Sequence, residues 1–173
     1  MTNDPDWNAD LARVGNGSFF WREPSLWALW VYRYGRRIDR ERAGRIRSLK
    51  TRWYWLLFHL VAIITGISIP KECAIGPGLR IWHFGGIFVH PKATIGSNCT
   101  FRQGVTIGNK GEQECAPTLG DNVELGAYAQ IIGPVRVGSN SRIGALTAVV
   151  KDVPPGVTVV GQPFRFASHS LES

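Results

Sequence analysis

The sequence predicts a mainly β fold: a solenoid of short parallel strands with a triangular section, preceded by an N-terminal helical cap. Three observations predict it. An aliphatic or aromatic residue returns at every sixth position through most of residues 69–149; glycine often follows that residue; and the preceding segment lacks the six-residue period.

A period of six suits neither the 3.6 of a helix nor plain alternation, but it suits a strand and a corner repeated around a prism. Ile69, Ile75, Ile81 and Ile87 form one series; Ile95, Phe101 and Ile107 a second; Leu119, Leu125, Ile131, Val137, Ile143 and Val149 a third. The residue two positions earlier is small or β-branched at Ala93, Cys99, Val105, Val123, Ala129, Val135, Ser141 and Thr147, as a second inward position at a tight corner requires. One hexapeptide cannot bury its apolar residue alone, so coils of about eighteen residues must stack, and the repeat region holds roughly five. We therefore divide the chain into a helical segment at 1–66, a β-solenoid at 67–166 and a tail at 167–173.

The N-terminal segment is basic. Residues 22–52 hold ten Lys or Arg against Glu23, Asp39 and Glu41, which accounts for the whole net charge of +7. Pro24-Ser25 can open a helix with Leu26, Leu29, Trp30, Val31, Tyr32 and Tyr34 on its apolar face, and a second helix is expected from about 43 to 65, ended by Gly66. These helices fit a cap that buries Trp and Leu against the solenoid or another subunit. They also fit a surface helix meeting anionic lipid. A spanning helix would need a longer apolar run than the one interrupted by His59. No nucleic-acid motif is present, so no nucleic-acid partner is expected.

Two irregularities interrupt the repeat. Eight residues separate Ile87 from Ile95, which predicts a bulged corner at His90-Pro91, and the polar run 108–118 predicts a loop thrown out from the column. Pro154-Pro155-Gly156 and Gly161-Gln162-Pro163 should end the coils, with residues 169–173 frayed. Cys73, Cys99 and Cys115 are odd in number and lack metal or redox spacing, so neither a disulfide framework nor a metal is expected. Residues 1–10 are acidic and polar where a signal peptide would be cationic and then apolar; the expected location is the cytoplasm, with the inner face of the membrane as an option.

Gly78-Leu79-Arg80-Ile81-Trp82-His83-Phe84-Gly85-Gly86-Ile87, then Gln103-Gly104-Val105-Thr106-Ile107-Gly108, then the loop and Pro117-Thr118-Leu119-Gly120-Asp121, resemble the serine acetyltransferase branch of the hexapeptide-repeat acyltransferases. The branch includes capsule and exopolysaccharide O-acetyltransferases. The resemblance implies a left-handed parallel β-helix, acetyl-CoA as donor, and a homotrimer with sites in the clefts between columns. Higher assembly would run through the N-terminal helices. It also implies that His83 is the general base; the oxyanion of the tetrahedral intermediate then needs a preorganised donor, for which a backbone N–H near Gly104 in the next coil is expected. The backbone of Gly126, Ala127, Gly144 and Ala145 would line the pantetheine arm, with Arg142 and Lys151 available to phosphates.

Imidazole suits the task, since it titrates near neutrality and can take a hydroxyl proton and return it to a thiolate. Departures from the resembling family are equally informative. Its acid partner falls on Ser68, the acid before the histidine is Trp82, and its Arg-His pair in the loop falls on Cys115-Ala116. Glu72, Glu112 or Glu114 could orient His83 instead. These departures make a sugar hydroxyl the expected acceptor, with Trp82 and Phe84 packing on the ring and His90 as a further acceptor-side group. Serine O-acetylation and a non-catalytic trimeric scaffold are the alternatives.

Overall fold

The computed structural model describes residues 4–15, 20–111 and 115–161. Three helices, α1 (Pro5–Ala12), α2 (Pro24–Arg40) and α3 (Arg45–Thr65), precede fourteen strands of two or three residues. The strands are β1 (Ile67–Ser68), β2 (Ala74–Ile75), β3 (Arg80–Trp82), β4 (Ile87–Val89), β5 (Thr94–Ile95), β6 (Thr100–Arg102), β7 (Thr106–Gly108), β8 (Thr118–Leu119), β9 (Glu124–Leu125), β10 (Gln130–Ile132), β11 (Arg136–Val137), β12 (Arg142–Ile143), β13 (Ala148–Val149) and β14 (Thr158–Val159). All pairing is parallel between successive coils. The first sheet is β1-β4-β7-β10-β13, the second β2-β5-β8-β11 and the third β3-β6-β9-β12-β14.

Strands are this short because one inward side chain per side fills a triangular core. Ile81, Phe101 and Leu125 stack in register along the third sheet and are essentially inaccessible. The small residues two positions earlier, from Ala93 to Thr147, are buried beside them. Each fully buried Leu, Ile or Phe contributes about 1.5–3 kcal/mol relative to exposure, so the column is held by its apolar file, with backbone hydrogen bonds satisfied from coil to coil.

Register relocates the bulge. Trp82 lies opposite Arg102 and Val89 opposite Ile107, yet residues 83–88 fill the lower coil where 103–106 suffice in the upper one. Two residues are therefore inserted at the corner between β3 and β4. From Val89 to Ile95 the interval is the regular six, so His90 and Pro91 form an ordinary corner, contrary to the expectation from sequence. The cause is that Ile87 and Val89 both point inward. Taking Ile87 as the repeat residue moves the insertion one corner too far along the chain.

The helices close the lower end. Leu26, Leu29 and Tyr32 of α2 join the same core as Ile67, Ile69 and Ile75. Arg33, 2 % exposed, is clamped to the fully buried Asp10 of α1 at 2.8 and 3.0 Å and donates to the carbonyls of Ile75 and Gly76. Asp10 in turn accepts from the N–H groups of Gly78 and Leu79. Tyr32 Oη bridges the Cys73 carbonyl and the Ile75 N–H, and Tyr54 Oη accepts from the Lys71 N–H. α3 ends at Gly66, which is left-handed at φ 66°, as the sequence leads one to expect. α1 was not expected; its signal is Asp4, whose carboxylate caps the N–H groups of Asp6 and Trp7 ahead of Pro5.

Candidate active site

The corners joining the third sheet to the first stack into one edge: residues 83–86, 103–105, 126–129 and 144–147 from bottom to top. His83, Tyr128 and Leu146 adopt left-handed backbone there, with φ 64°, 59° and 57°. For residues other than glycine this is a costly conformation, found where surrounding structure enforces it. At His83 the enforcement is visible. The Gly104 N–H donates to the Gly85 carbonyl at 2.9 Å, and the Ile87 N–H donates to the Gly66 carbonyl at 2.9 Å, closing the bulge from above and below. A Cβ on Gly66 would lie 3.0 Å from the Gly86 nitrogen, so the end of α3 presses directly against this corner.

The bulge carries His83 outward as an exposed side chain between Trp82 and Phe84, which are 45 % and 53 % exposed. Among the described residues the imidazole has no hydrogen bond or ion pair. Glu72 sits at a corner between the first and second sheets, away from this edge. Ser68 is on β1 opposite Phe88, and Glu112 and Glu114 lie outside the described residues.

The edge unites His83, Gly104, Ala127 and Ala145, but three of the amides expected to serve substrates are already used. The Gly104 N–H is given to Gly85, the Gly126 N–H to Ile143 O at 2.8 Å and the Gly144 N–H to Val159 O at 2.7 Å. In this protomer the Gly104 N–H is thus engaged within the corner itself. Its missing side chain also makes room, since a Cβ there would run into the Tyr128 ring. At Gly126 a Cβ would meet the Ala145 nitrogen at 2.5 Å, so close coil stacking requires glycine. Tyr128, Leu146 and Gln103 share this edge and are not singled out by sequence reasoning. The first two could have been found from the paired Gly-Ala-X triplets at 126 and 144. The buried Oε1 of Gln103 has no partner among the described residues.

A groove of about 250 Å³ runs up the third sheet from Trp82 past Thr100, Arg102, Glu124, Gly126, Arg142 and Gly144. One face of Trp82 is occupied by the buried Arg80 guanidinium, 4.4 Å from the ring centroid. Arg142 lies in the groove but is paired with Glu124 at 3.4 Å, on the exposed surface. Lys151 and His90 do not join this edge. Each follows a strand of the first sheet, at the corners leading to the second. Within one protomer neither meets His83. Cys99 is buried inside the column, where burial pushes its thiol up to about 11, and it makes no nucleophile.

A family profile described as "Bacterial transferase hexapeptide (six repeats)" matches residues 116–150. A serine acetyltransferase of Synechococcus elongatus is 42% identical over 117 residues, covering 66% of this chain and 48% of the relative. One of Helicobacter pylori is 36% identical over 143 residues, covering 80% of this chain and 78% of the relative. This chain spans about half the length of the Synechococcus and Mycobacterium tuberculosis relatives it matches. Among solved structures, soybean serine acetyltransferase complexed with serine superposes with a TM-score of 0.78 at 26% identity, over 92% of this chain and 67% of that one. The Neisseria gonorrhoeae enzyme gives 0.76 at 28% identity, over 97% and 67%.

Proposed function

The chain belongs to the serine acetyltransferase family, and from that membership we propose that it transfers an acetyl group from acetyl-CoA to a hydroxyl, with His83 as general base. The observation that carries this reading is the two-residue bulge, which holds an exposed imidazole, without a partner among the described residues, between two exposed aromatics. One ring nitrogen takes the hydroxyl proton as the oxygen attacks the thioester carbonyl. The tetrahedral adduct collapses with cleavage of the C–S bond, and the imidazolium returns the proton to the departing thiolate. No acyl-enzyme forms.

The backbone of Ala127 and Ala145, on the same edge two and three coils above, is positioned to line the pantetheine arm. The groove along the third sheet supplies polar side chains beside it. A homotrimer would supply the second wall, since one protomer presents only a shallow groove and an edge. His90 and Lys151, at the far edge of the first sheet, could approach His83 only from a neighbouring protomer.

Serine is the acceptor that the names and structures of the relatives favour, and it takes precedence over the sugar hydroxyl expected from sequence. A sugar remains a second reading for one reason. The positions where the family resemblance leads one to expect charged groups for a small zwitterion hold Ser68, Trp82 and Cys115-Ala116, and an exposed Phe84 adjoins the base. Thiol release from acetyl-CoA, measured against serine and a panel of sugars, separates the two. His83→Ala should cut turnover by about 100-fold or more with the circular dichroism and assembly mass unchanged. Full activity in that variant would remove His83 from the mechanism, and absence of thiol release with every acceptor would favour a non-catalytic column.

A further inference from the structure

The outward face of α3 is apolar along its whole length. Ile46, Leu49, Trp53, Leu56, Leu60 and Ile63 recur at alternating steps of three and four and are all exposed, Ile63 to 80 %. The apolar surface does not stop at that stripe. Leu57 and Val61, one flank further round the same helix, line a groove of about 210 Å³ with Phe20, Trp21, Trp27 and Trp30, and Trp21 is 82 % exposed. This groove has no polar lining, so α3 and the Trp21 turn form one continuous apolar surface.

The charge left without an ion pair in this segment is of one sign. α3 contains no Asp or Glu. The three acids of the segment are already engaged, Glu23 with Arg80, Asp39 with Lys71 and Arg47, and Glu41 with Lys50. Arg22, Arg42, Arg45 and Arg52 carry no ion pair among the described residues. A second copy of the chain laid along α3 would bring no carboxylate on that helix to these arginines, although the three-four spacing would otherwise suit it. An anionic lipid surface would satisfy both halves, with lipid phosphates for the arginines and acyl chains for the Leu, Ile and Trp side chains. No described helix is long and apolar enough to cross a membrane, so contact would be in the plane.

We infer that α3 and the adjoining Trp21 groove form a peripheral docking face for an anionic bilayer. The face ends at Gly66, against the His83 corner, so docking holds the transfer edge beside the lipid surface. The inference does not depend on which acceptor the site uses.

Flotation of the full chain with vesicles tests it. Vesicles of phosphatidylcholine with about 30 mol % phosphatidylglycerol should carry the protein, with a blue shift of tryptophan emission, while pure phosphatidylcholine should not. Arg45→Gln/Arg52→Gln should weaken binding by about tenfold or more, as should raising NaCl to about 0.5 M. Leu56→Gln/Leu60→Gln should do the same without altering the mass of the lipid-free protein. The arginine variant and the salt series keep the test open should the leucine variant fail to fold. Equal flotation with neutral and anionic vesicles, no flotation with either, or a fall in lipid-free mass on Leu56→Gln/Leu60→Gln would each overturn the inference, the last by showing that a second copy covers the face.

Discussion

The Gly104 N–H donates to the carbonyl of Gly85 across 2.9 Å, one coil apart, and this bond pins the upper side of the bulge that presents His83. The position requires glycine, because its backbone is left-handed, at φ 73°, and because the ring of Tyr128 lies where a side chain would be. Gly104→Ala must strain the corner and displace Tyr128. The expected result is a loss of about 1–3 kcal/mol in stability, read by denaturant titration. Thiol release should fall with it while the far-ultraviolet circular dichroism of the column persists. Wild-type stability in that variant would show that the corner yields easily and does not position the histidine.

The bulge itself can be removed. Deleting His83 and Phe84 restores the regular corner seen one coil higher, where Gln103 and Gly104 make the same turn with two fewer residues. Because it takes away left-handed backbone at a residue other than glycine, the deletion should leave thermal stability unchanged or slightly raised. Turnover should disappear. A collapse of stability would mean that the insertion serves packing and not presentation of a side chain.

The solenoid is legible in the sequence because each coil buries the same kind of residue at the same interval, and the solvent-facing positions leave that file undisturbed. Position 83 is legible through the motif around it. The location of the insertion is not, since Ile87 and Val89 both face inward and either serves as the repeat residue. Nor can linear spacing tell which amides the coil-to-coil ladder consumes, among them the N–H groups of Gly104, Gly126 and Gly144. The Asp10–Arg33 clamp joins two helices that no short-range rule connects.

That clamp predicts how the cap is held. Burial works against the Arg33 charge, but the Asp10 carboxylate outweighs it and keeps the guanidinium above the ordinary arginine range. Removing one partner leaves the other charged and buried, so Arg33→Met should cost about 3–5 kcal/mol and expose α1 to proteolysis. Asp10→Asn should cost less, since an amide oxygen can still accept from Gly78 and Leu79. The double variant should lose less than the sum of the two. Additive losses in such a cycle would show that the two side chains act independently.

Alkali should unfold the protein through groups that burial keeps protonated. Burial pushes Cys73 up to about 12, Cys99 to about 11 and Tyr32 to about 12, against ordinary values of 9.0, 9.0 and 10.0. From about pH 9 the unfolded chain loses these protons while the folded chain retains them. The folded state then binds more protons, and stability falls as pH rises toward 11–12, by about 1.4 kcal/mol per pH unit for each group fully engaged. Denaturation midpoints between pH 8 and about pH 10.5 should therefore decline, and Cys99→Ala should flatten the decline. Thiol labelling supplies an independent reading. At about pH 8 the exposed Cys115 should react alone, with Cys73 and Cys99 becoming reactive only on unfolding. Rapid labelling of all three in the native protein would mean that the lower coils open far more readily than their packing implies.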